Sequence, residues 1–79
     1  MATTGYSLTE TWVEVGTGPL LVETTSNFDV RLYTGSSAPQ VDHDVYHYLG
    51  SFSSFYYPGT DKVYVRAGST SESSVVVTY

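Results

Sequence analysis

Apolar residues in this chain recur at every second position. Phe28, Val30 and Leu32 alternate with Asp29, Arg31 and Tyr33; Val63, Val65 and Ala67 alternate with Lys62, Tyr64 and Arg66; Val75, Val77 and Tyr79 alternate with Val76 and Thr78. Successive side chains of a strand point to opposite faces, so this pattern builds β-strands and gives no helix an apolar stripe. Helix formers are scarce as well, with three Ala, one Lys and one Gln. Weaker alternation marks further strands at residues 9–15, 20–26 and 45–52. In the first, Val13 and Val15 take one face and Trp12 and Glu14 the other; in the last, Tyr46 and Tyr48 share a face.

Turn-forming residues separate these segments: Gly16-Thr17-Gly18-Pro19, residues 35–44, Pro58-Gly59-Thr60-Asp61 and residues 68–73. Pro58-Gly59 suits the central positions of a type II turn, where proline presets φ and glycine accepts a positive one. Asn27 suits a tight corner. The pattern predicts an all-β chain, a small antiparallel β-sandwich or barrel of about six short strands. We expect a single β domain over residues 1–79, with residues 1–8 as a candidate flexible anchor. The last strand, SSVVVTY, must be either central or an edge that something covers, because a bare apolar edge invites aggregation.

A domain of 79 residues buries only about 60% of its unfolded surface, so its core is thin. With zero Cys, neither disulfides nor thiolate zinc can brace it. Oligomerisation is the support that remains, and a homo-oligomer is the expected state. The net charge of −5 repels phosphate, which makes nucleic acid and anionic membrane poor partners. Ser and Thr supply 22 of the 79 residues, and only 14% are charged. Such a weakly charged surface suits a component held among other proteins. The N-terminal stretch has no basic segment followed by an apolar run, and nothing approaches the length of a membrane span, so synthesis and folding in the cytosol are expected.

Chemistry-bearing clusters are few. Asp42, His43, Asp44 and His47 are the one grouping of metal-ligand types, but in an extended chain four residues set His43 and His47 about 13 Å apart, too far for one ion. The glycine and terminal glutamate of a calcium loop are also missing. No Gly-x-Ser-x-Gly elbow is present, and Gly16-Thr17-Gly18 has no helix start behind it. Glu10, Glu14, Glu23 and Glu72 show no spacing that selects an acid–base pair. No catalytic, cofactor-binding or metal-binding residue is predicted, and no cofactor.

Aromatic residues are the remaining signal. Phe52, Phe55, Tyr56 and Tyr57 stand within six positions, with Tyr46 and Tyr48 just before them and Trp12 elsewhere. Aromatic rings bring large apolar area, and Tyr keeps a hydroxyl for an interface rim. Core filling, a protein interface and sugar stacking all draw on such rings. Phe55-Tyr56-Tyr57 are consecutive and cannot all point inward. Phe52, Phe55, Tyr56, Tyr57, Tyr46, Tyr48 and Trp12 are therefore the candidate interface residues.

The layout of Trp12, Val15-Gly16-Thr17-Gly18-Pro19, Val30 and Leu32, Ser37-Ala38-Pro39, the run from Tyr57 to Ala67 and Val75-Val76-Val77-Thr78 resembles small virion proteins of tailed bacteriophages. The resemblance covers about residues 11–79. It implies a non-enzymatic structural protein of the virion, made in the host cytoplasm. The first expectation is a capsid decoration or cementing module that oligomerises, commonly as a trimer, and docks on other virion proteins. The alternative is a tail or fibre module that binds glycan by stacking Tyr56, Tyr57 and Trp12 on sugar faces.

Overall fold

The computed structural model describes residues 3–25, 29–40, 46–50, 52–68 and 73–79. These form eight strands: β1 (Thr3–Ser7), β2 (Val13–Thr17), β3 (Leu20–Thr24), β4 (Val30–Gly35), β5 (His47–Leu49), β6 (Ser54–Tyr57), β7 (Lys62–Ala67) and β8 (Ser74–Thr78). Sheet A has the order β1-β8-β3-β6 and sheet B the order β2-β7-β4-β5. Every neighbouring pair is antiparallel. The pairs are nested, β1 with β8, β2 with β7, β3 with β6 and β4 with β5. The chain is thus one long hairpin wrapped around itself so that its strands fall into two stacked sheets. This winding is the jelly roll. The all-β class and antiparallel sandwich expected from the sequence are the architecture found.

Two strands exceed the predicted number. Thr3–Ser7, taken from the sequence as part of a flexible anchor, instead pairs with β8 along its whole length. Leu8 follows it into the core at 1% exposure. Ser54–Tyr57 supplies the other edge of sheet A. The final strand β8 lies between β1 and β3, which resolves its two sequence options in favour of a central place.

The core lies between the sheets and takes the inward phase of each strand. Val22, Val30, Leu32, Val63, Val65 and Val77 have no exposure at all. In β2 the register slips between Glu14 and Gly16, so Val15 is an extra residue opposite β7. This bulge turns Val15 inward to 2% exposure. Gly16 completes it at φ 149°, and a Cβ there would sit 3.1 Å from Leu20 Cδ2. The folded chain exposes 4396 Å², no more than the about 4,700 Å² expected of a compact chain of this size. The exposed area is thus that of a compact chain whose core lies between the two sheets.

Gly59 departs from the predicted type II turn, since it does not take a positive φ. It is glycine for a steric reason. A Cβ on Gly59 would collide with the Tyr57 hydroxyl and ring, and one on Gly18 would collide with the same ring and with the Gly59 carbonyl. The Tyr57 ring thus lies against both turns, and its hydroxyl accepts the Asp61 N–H at 3.3 Å.

Several sequence readings fall outside the described residues: the corner at Asn27, Phe28, and the Asp42-His43-Asp44 part of the metal-type cluster. Among the described residues no helix is long and apolar enough to cross a membrane. No group of three or more His, Cys, Asp or Glu among them could hold a metal ion.

Candidate interaction surface

The outer face of sheet A follows from the register. One row runs Thr3, Thr78, Leu21, Tyr56, and the next runs Gly5, Val76, Glu23, Ser54. Glu23 is the one charged residue in the two rows. Tyr56 stands out from this face with 60% of its surface exposed. Strand alternation sends its neighbours the other way, and Phe55 and Tyr57 pack against the core. Phe55 also stacks on His47 at 5.6 Å between ring centres. That contact joins the two edge strands β5 and β6 and covers one open side of the sandwich.

Beside Tyr56 the turn from β5 into β6 displays Phe52. Its backbone has φ 51°, the left-handed region, where a bulky residue is strained by about 1–3 kcal/mol. Its ring is nevertheless 68% exposed. The turn is held by Thr24, a 4% exposed hydroxyl on β3. Thr24 Oγ1 donates to the Gly50 carbonyl at 2.8 Å and accepts the Ser53 N–H at 2.6 Å. The Thr24 N–H donates to the Ser53 carbonyl at 2.8 Å. Phe52 therefore borders a groove of about 390 Å³ that runs onto the sheet past Glu23, Ser54 and Val76.

Sheet B has a different outer face. Tyr64 and Arg66 of β7 point outward, yet they are only 4% and 9% exposed. Trp12, itself 9% exposed, lies over Arg66, and the Tyr33 ring lies 6.4 Å from that of Tyr64. The Trp12 indole N–H donates to the Gln40 carbonyl at 3.1 Å. Its ring meets Tyr33 edge-on at 6.2 Å and lies 6.5 Å from Tyr46. The Arg66 guanidinium carbon lies 5.5 Å from the Trp12 ring centre, and that of Arg31 lies 4.8 Å from the Tyr46 ring centre. Arg66 Nη1 donates to the Glu10 carbonyl at 3.0 Å. Tyr48 lies directly across from Arg31 at the sheet edge and is 67% exposed.

The predicted interface residues thus separate into three groups. Phe52 and Tyr56 share one side of the molecule and are exposed. Tyr48 is exposed on the opposite side. Phe55, Tyr57, Tyr46 and Trp12 are engaged in packing. A sugar platform of Tyr56, Tyr57 and Trp12 does not form, because Tyr57 lies against the core and Trp12 is packed on the outward side of the other sheet, against Arg66 and Tyr33. The two arginines on sheet B were not singled out from the sequence, although their outward phase was legible in the alternation of β4 and β7.

No family model, curated protein or solved structure matches this chain.

Proposed function

We propose that this chain is a non-enzymatic structural module of a phage particle, of the decoration or cementing kind, which assembles with copies of itself through the outer face of sheet A and docks there on neighbouring virion subunits. Phe52 carries the proposal. Glycine or asparagine would occupy a left-handed turn position at less cost, so an exposed phenylalanine held there is retained for what its ring contacts. Tyr56 adds a second exposed ring of the type enriched at interfaces. Charge favours the same face. The two rows of sheet A carry one carboxylate, Glu23, so copies of net charge −5 meet there with little like-charge repulsion. The jelly-roll winding recurs in capsid domains, which supports the virion context by analogy of fold alone.

Mass spectrometry of phage particles purified from the culture that produces the chain tests this directly. The expected result is the chain at many copies per particle, retained through gradient purification. A chain found in the cell lysate and absent from the particles would overturn the proposal.

A further inference from the structure

Phe52 borders a groove of about 390 Å³ whose walls include Glu23, Thr24, Ser54 and Val76, yet its ring stays 68% exposed. The turn explains this. Its φ of 51° and the bonds from Thr24 to Gly50 and Ser53 hold the ring out at the rim of the groove. A cavity of about 150 Å³ already accommodates benzene, so the groove has room for a phenyl ring that arrives from outside.

We infer that the occupant of this groove is Phe52 of a second copy, and that the two copies meet face to face about a two-fold axis, each ring entering the groove of the other. Resting on the self-association proposed above for sheet A, this fixes its symmetry. Ring and groove adjoin on one face, so a single two-fold rotation about an axis between them satisfies both at once, an isologous contact. A closed ring of three or more copies would instead need ring and groove on different surfaces of each copy. A sheet face laid on another is also used up by it, which closes the assembly at two. The available area suffices. Stacked sheets lie about 10 Å apart, so the shortest extent of 16 Å runs across the sandwich and each broad side measures 29 Å by 24 Å. An elliptical footprint of that size covers roughly 550 Å² of each copy and about 1,100 Å² in all, above the about 1,000 Å² of a specific interface. Charge is compatible as well. The edge of an aromatic ring is positive, and Glu23 is the carboxylate of the groove that would receive it.

Sedimentation equilibrium of the full chain, and of two variants alone and mixed, tests this. The unmodified chain should fit a monomer–dimer equilibrium. A trimer as the smallest assembly would overturn the two-fold inference and leave the self-association proposal standing, whereas a chain that stays monomeric would overturn both. Ser54→Trp fills the groove from an exposed position, and Phe52→Gly removes the ring. Each alone should weaken the dimer at least tenfold without lowering the urea midpoint. Mixed in equal amounts, the two should pair at least tenfold more tightly than either does with itself, because the Phe52 ring of the Ser54→Trp copy meets the open groove of the Phe52→Gly copy. A mixture that associates no better than its components would overturn the inference, even where both single variants weaken the dimer.

Discussion

Thr24 and Ser53 are bonded in both directions, the Ser53 N–H to the Thr24 hydroxyl at 2.6 Å and the Thr24 N–H to the Ser53 carbonyl at 2.8 Å. The pair ties β3 to the turn that displays Phe52, and the same hydroxyl reaches the Gly50 carbonyl. Thr24→Val keeps the shape and removes the hydroxyl, which leaves the Ser53 N–H without its acceptor. Urea unfolding should show a loss of about 1–3 kcal/mol, and Thr24→Ser should recover most of it.

Tyr56 and Tyr57 should respond in opposite ways. Tyr57 packs against the core and between two turns, so Tyr57→Ala should cost about 2–4 kcal/mol in chemical denaturation. Tyr56 points outward, and Tyr56→Ala should stay within about 0.5 kcal/mol of the unmodified chain. Equal effects would mean that the inward and outward phases of β6 are misassigned.

Gly59→Ala should destabilise by about 1–3 kcal/mol, because the new methyl meets the Tyr57 ring. The penalty should largely disappear in a Tyr57→Ala background. A double-mutant cycle with coupling below about 0.5 kcal/mol would contradict the steric reason given for this glycine.

Trp12 is the single Trp and is buried under the loop that carries Gln40. Its emission should be blue-shifted and poorly quenched by acrylamide. Trp12→Phe should cost about 1–2 kcal/mol through the lost indole hydrogen bond and edge packing. Red-shifted, readily quenched emission would contradict its burial.

Much of the fold was legible because the alternation of β4, β7 and β8 is strict enough to assign inside and outside residue by residue. Val30, Leu32, Val63, Val65, Val75 and Val77 all lie on the inner face the pattern indicates. β1 was hidden because an edge strand of Thr, Gly and Ser packs only Tyr6 against the core, which leaves no apolar period to detect. β6 was hidden for the opposite reason. Phe55, Tyr56 and Tyr57 are aromatic in both phases, so the period vanishes although the strand obeys it. Trp12, read from the sequence as part of a strand over residues 9–15, instead lies just before β2, and its burial depends on Gln40 and Arg66, which are distant in sequence. Phe52 gave no sign of its turn, since left-handed backbone is signalled in sequence by Gly or Asn. The arginine pairing on sheet B required the register between β4 and β7, which alternation within each strand does not supply.

The central claim is that the strained Phe52 ring is displayed for contact between copies. Sedimentation equilibrium at micromolar concentration, on the unmodified chain and on Phe52→Gly, tests it most directly. The glycine should relieve the backbone strain and leave the urea midpoint unchanged or higher, while shifting self-association at least tenfold toward monomer. An unmodified chain that stays monomeric throughout, or a glycine variant that assembles as well as the original, would contradict the account.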